Sequence, residues 1–134
     1  KDDQSRAVLK EVLSQPGVMD HGRQPMEIVA REKHRSSFQL YVTNTPIEID
    51  CISIRESLVT GCIPLLSNFG VFKEREGIHF DLKDNDQENM KNIALNIINL
   101  LKTPEKLDVL RSVFRKSVTI CSWDDISERI ININ

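Results

Sequence analysis

A chain of 134 residues and 15.4 kDa with a formal net charge of -2 has room for one buried core without staples. With 40% hydrophobic and 28% charged residues it is composed like a globular domain, which excludes a disordered or fibrous chain. The weakly acidic balance excludes a broad nucleic-acid footprint, because phosphate backbones are held by clustered Lys and Arg.

From the N-terminus, Val8, Leu9, Val12 and Leu13 form one helical stripe over 5–13, with Asp2, Asp3 and Ser5 available as caps. Pro16-Gly17 ends that helix, and residues 17–21 predict a short strand closed by Gly22. Pro25 suits the first turn of a second helix, in which Met26, Val29 and Ala30 face inward while Glu27, Arg31, Glu32 and Lys33 stay in water. Ser36 and Ser37 interrupt it, and residues 38–43, rich in aromatic and β-branched side chains, read as a strand. After an Asn44-Thr45-Pro46 turn a helix is expected over 51–60, stopped by Gly61 just past its end. Ile63–Ser67 is a short apolar run between turn signals, the pattern of a strand buried on both faces.

A loop at 68–70 and a strand over 77–82 follow. From Asp86 a periodic helix turns Met90, Ile93, Ala94, Ile97, Ile98 and Leu101 to one face. Thr103-Pro104 caps another helix, buried through Leu107, Leu110, Val113 and Phe114. Ser122-Trp123-Asp124-Asp125 has capping-box spacing and starts a last helix with Trp123, Ile126 and Ile130 inward. No repeat or linker divides the sequence, so 1–134 reads as a single domain. Strands alternating with helices imply an α/β fold, a Rossmann-like parallel sheet flanked by helices, with ligands at the C-terminal ends of the strands.

Cys51, Cys62 and Cys121 are an odd set without a C-x-x-C pair, and His21, His34 and His79 are far apart in sequence. Neither a metal site nor a disulfide framework is expected, and a reducing, cytoplasmic compartment is the corresponding expectation. Asp84-Asn85-Asp86 has a D-x-D form but precedes a periodic helix, where capping is its expected role. No apolar run is long enough for a transmembrane segment, and no charged-then-apolar leader is visible. The first residue is Lys1 rather than Met, which reads as a fragment of a longer protein.

The stretch after the 38–43 strand concentrates the chemistry. A polar turn leads to Glu48, a helix start at Cys51, Glu56 on that helix, the helix-ending Gly61 and the apolar Ile63-Pro64 strand. A helix beginning near Cys51 presents unpaired N–H groups and a positive dipole end, a ready anion site. Glu48 just ahead of it points to the cleft, and the Glu56 carboxylate can accept hydrogen bonds from two vicinal hydroxyls. On its own, each carboxylate also has a plain reading: Glu48 as a helix-start carboxylate favoured by the dipole, Glu56 as a solvated helix carboxylate.

The pattern Glu48-x-x-Cys51-Ile52-Ser53-x-x-Glu56, with Gly61, Ile63-Pro64 and an apolar strand after it, resembles the Glu-seven-Glu motif of the retaining GT-B glycosyltransferases. The likeness extends over roughly 17–132, from a strand and loop at 18–23 to Phe72-Lys73-Glu74 and the Ser122-Trp123 helix, and is specific between Thr43 and Ser67. It implies the C-terminal, nucleotide-sugar-binding half of a GT-B fold, truncated at its N-terminus, in an enzyme that transfers a sugar from a nucleotide-diphosphate donor with retention. By this resemblance Glu48 is the catalytic carboxylate near the anomeric centre. Ile49, Asp50, Cys51 and Ile52 contact the donor through their N–H groups, and Glu56 binds the ribose. Asp50 adds a negative charge beside the phosphate position. No metal and no further cofactor is implied. The acceptor domain is the missing partner, together with the basic grip on the diphosphate, so the chain alone is expected to be inactive. The alternative is a non-catalytic α/β binding or protein-interaction module on the same skeleton. A flavodoxin-like phosphoacceptor domain lacks its acidic cluster at the end of an early strand.

Overall fold

The computed structural model describes residues 2–42, 48–81, 87–118 and 122–132. Helices α1 (Asp2–Leu13) and α2 (Met26–Arg35) precede strand β1 (Phe38–Tyr41). Helix α3 (Ile52–Thr60) leads to β2 (Ile63–Ser67), a 3-10 turn at Gly70–Glu74, and β3 (Ile78–Phe80). Helices α4 (Gln87–Leu101), α5 (Pro104–Ser117) and α6 (Trp123–Ile131) complete the order. The fold is α/β: a three-stranded parallel sheet, order β1-β2-β3, flanked by helices.

β2 is central and buried along all five residues, as its unbroken apolar sequence requires. Pro64 sits inside it, although a proline removes a ladder donor. The register accounts for this. In a parallel strand, successive residues address opposite neighbours, and Ile63 N–H donates to Ser37 O at 2.9 Å on the β1 side. Pro64 therefore faces β3, where the ladder begins only at Leu65 opposite Ile78, and no N–H is needed there. The Pro64 carbonyl instead presses on Gly77: a Cβ built there would lie 2.8 Å from that oxygen and 2.9 Å from Leu66 Cδ1.

The core is centred on α3. Cys51, Ile54, Leu58, Leu66 and Phe72 form one buried cluster, with Tyr41, Val71, Phe114 and Val118 against it. Gly61 ends α3 in the left-handed region at φ 79°, as its place in the sequence predicts. Carbonyls at that end, and one in the last turn of α2, are taken by α5: Arg111 donates to Gly61 O at 2.8 Å and to His34 O at 3.2 Å, and Arg115 donates to Thr60 O at 2.9 Å. Cations at a helix C-terminus also complement its dipole.

Several expectations are corrected. Residues 17–21 form a turn and an irregular loop instead of a strand, with Val18 and Met19 exposed and no ladder partner among the described strands. On α2, Met26 and Val29 are exposed, and the face toward the protein is Ile28, Glu32 and Lys33. The α1 stripe of Val8, Leu9 and Val12 is likewise exposed. Along α4 only Ile93 is buried, Ile97 is half-buried, and Met90, Ile98 and Leu101 are exposed; on α5 Leu107 is buried and Val113 is not. Pro104 occupies the first turn of α5 as expected, but the Thr103 hydroxyl turns back to Asn99 O at 3.0 Å instead of capping. The capping box at the start of α6 forms, with Asp125 N–H on Ser122 Oγ at 3.1 Å and Ser122 N–H on Asp125 Oδ2 at 2.7 Å. The Ser122 N–H, and the Ser122 hydroxyl donating to the same oxygen at 2.8 Å, hold the Asp125 carboxyl below its ordinary range. The Asn44-Thr45-Pro46 turn, the Asp84-Asn85-Asp86 segment and Cys121 lie outside the described residues, as do the side chains of Trp123, Ile126 and Ile130.

Candidate functional site

β1 and β2 are parallel neighbours, in register from Phe38 with Ile63 to Tyr41 with Leu66, and α3 connects them. Residues 48–52 thus lie between the C-terminal end of β1 and the start of α3, the place where open α/β sheets bind ligands.

Glu48 is half-buried there, and Tyr41, the last residue of β1, donates from its hydroxyl to Glu48 Oε2 at 3.3 Å. The Tyr41 ring is anchored against the buried Phe72, centroids 5.3 Å apart and tilted by 48°. The phenol is pushed up to about 12, first by its interactions with the Cys51 thiol, then by burial and the Glu48 carboxylate. A phenol kept protonated remains a donor to Glu48 across the whole neutral range.

The next residues divide by role. Ile49 and Ile52 are exposed at 87% and 66%, so neither side chain belongs to the core. The Ile52 N–H, one of the expected donors, is occupied by Asp50 O at 3.0 Å. Cys51 is the cap position of α3 and is 4% exposed, its side chain belonging to the core. Asp50 Oδ1 receives Arg75 at 2.7 Å and Arg55 at 3.3 Å. The carboxylate that the sequence places beside an anion position is therefore countered by two guanidinium groups. Arg75 reaches it from the turn after β2, largely buried, and its Nε has no hydrogen-bond partner among the described residues. Alternating charges around Arg75 in the sequence suggest a solvated loop and conceal this contact.

Glu56 lies on the same helix and is held from α2. Its Oε2 accepts from Lys33 Nζ at 2.8 Å, and Lys33 also donates to Ser53 O at 2.8 Å and Ser53 Oγ at 2.9 Å. All three ammonium protons thus have acceptors on α3. Gln39 of β1 continues the network, donating from Nε2 to Ser53 Oγ at 2.9 Å and meeting the buried Ser57 hydroxyl with its Oε1. Sequence reasoning missed Lys33, Gln39 and Ser57. The usable signal is the polar Ser53 and Ser57 four apart on a helix otherwise facing the core, which demands buried partners.

Among the described residues no group of three or more His, Cys, Asp or Glu could hold a metal ion, and no helix is long and apolar enough to cross a membrane. No family model matches the sequence, and no curated protein and no solved structure matches it. The functional reading therefore rests on the geometry around α3.

Proposed function

We propose that this chain is the donor-binding lobe of a retaining GT-B glycosyltransferase, holding a nucleotide-diphosphate sugar over the start of α3. The observation that carries the reading is the succession along one β1–α3–β2 unit. Glu48 stands at the C-terminal end of β1, the dipole-positive start of α3 follows, and Glu56 is exposed enough at 37% of its side chain to meet a ligand. In this reading the Tyr41 hydroxyl steadies Glu48 beside the anomeric centre. The diphosphate lies toward the helix start, with the charge of Asp50 offset by Arg55 and Arg75. The ribose hydroxyls donate to Glu56. Developing negative charge on the leaving diphosphate is stabilised by fixed N–H dipoles and guanidinium groups. Transfer itself requires an acceptor-holding domain that closes on this lobe.

The experiment is a thermal-melt series on the chain with UDP, GDP and ADP and their glucose or mannose conjugates. A ligand at 100 times its Kd stabilises the native state by about 2.7 kcal/mol, so at least one donor class raises Tm by a few degrees. Glu56→Ala abolishes that rise. Indifference to every nucleotide would instead leave an α/β interaction module.

A further inference from the structure

The least expected contact in the molecule is a lysine turned away from water. Lys33 is on α2, its side chain is only 12% exposed, and its three donors all end on α3. A surface ion pair between two long side chains is worth little and holds no particular geometry. This one is different in kind. Two of its three hydrogen bonds, to Ser53 O and Ser53 Oγ, fix the ammonium in place independently of Glu56, and Gln39 holds the Ser53 hydroxyl from the strand below. Glu56 is thereby presented to a preset cation and has one carboxylate oxygen fixed, at 2.8 Å.

We infer that Lys33 is a positioning residue, which sets the Glu56 carboxylate so that a vicinal diol can donate to it; this rests on the donor-lobe reading above. A carboxylate has about four lone-pair sites. Lys33 occupies one, on Oε2, and leaves Oε1 whole and a second site on Oε2. Two hydroxyls on adjacent carbons meet both oxygens at least cost when the carboxylate plane is fixed before they arrive. A freely rotating Glu56 would have to be ordered on binding, which lowers affinity. The ligand class implied is a nucleoside diphosphate with an intact ribose, and discrimination against its 2′-deoxy counterpart is the property that Lys33 supplies.

The test is the ratio of Kd values for the 2′-deoxy and the ribo form of whichever of UDP, GDP and ADP binds the chain, measured by NMR titration. The wild-type ratio is expected to be about tenfold or more, since the lost hydrogen bond is to a charged group. Lys33→Met brings the ratio close to one, and Lys33→Arg keeps most of it. Lys33→Gln keeps a neutral donor for Ser53 and removes the charge that sets Glu56, so a melting temperature near wild type together with a ratio near one separates positioning from mere bracing of α2 on α3. It also serves if Lys33→Met fails to fold. A full ratio in Lys33→Met, with loss of it in Glu56→Ala, overturns the role of Lys33 and leaves the donor-lobe reading standing. Binding without any ribose discrimination in the wild type, or no nucleotide binding at all, overturns both.

Discussion

Tyr41 shows how much a single position ties together here. It ends β1, packs on Phe72, touches the Cys51 environment and donates to Glu48. It is the only tyrosine, so its ionisation can be followed directly through near-ultraviolet absorbance. With the phenol raised from 10.0 to about 12, the absorbance change of the folded chain is expected near the upper value. The sign of the stability effect follows. Above pH 10 the unfolded chain releases a proton that the folded chain retains, so the contribution from Tyr41 is complete below pH 10 and disappears as pH rises through about 12. Titration at an ordinary phenol value in the native state would mean that Tyr41 faces water and does not hold Glu48. A strand rich in aromatic residues predicts the ring, but neither spacing nor composition predicts the phenol's partner, because Glu48 lies seven residues on, across a turn.

The elements whose place in the core could be read from sequence are those whose core contacts are apolar. The Ile63–Ser67 strand is an unbroken buried run, α3 carries its stop signal at Gly61, and both stand where expected. For α2 the rule that apolar residues mark the inner face fails. Met26 and Lys33, seven residues apart, lie on nearly the same side of the helix, yet Lys33 reaches the polar side of α3 while Met26, at the helix start, stays exposed. Residues 17–21 have a strand-like look in isolation, but a strand needs a ladder partner, and none of the described strands offers one. The approach of β3 to β2 is another feature invisible locally, since Gly77 reads only as the first residue of a strand. Gly77→Ala places a methyl group against the backbone oxygen of Pro64 in the central strand, which cannot swing aside as a side chain does. A loss of about 1–3 kcal/mol is expected in a denaturant titration, with the slope unchanged. A neutral result would show that β3 sits farther from Pro64 than described.

At the scale of the whole molecule the two carboxylates stand on one parallel strand–helix–strand unit. The parallel β1–α3–β2 unit was legible from strand and helix order, and so was the placing of Glu48 and Glu56 on it. The contacts around them were not, because Lys33 on α2, Gln39 on β1 and Arg75 after the 3-10 turn meet Glu56, Ser53 and Asp50 only through the fold. The central claim is that residues 48–56 are where a nucleotide-sugar donor lies. Its most direct test is a map of backbone amide NMR shifts as UDP-, GDP- and ADP-sugars are titrated into the chain, a method that reads weak binding as readily as tight. The account predicts that one donor class shifts the amides of residues 48–53 and of Glu56 most strongly, with smaller changes at Tyr41 and Arg75. Shifts concentrated elsewhere, or unchanged amides across 48–56 with every donor, would contradict it.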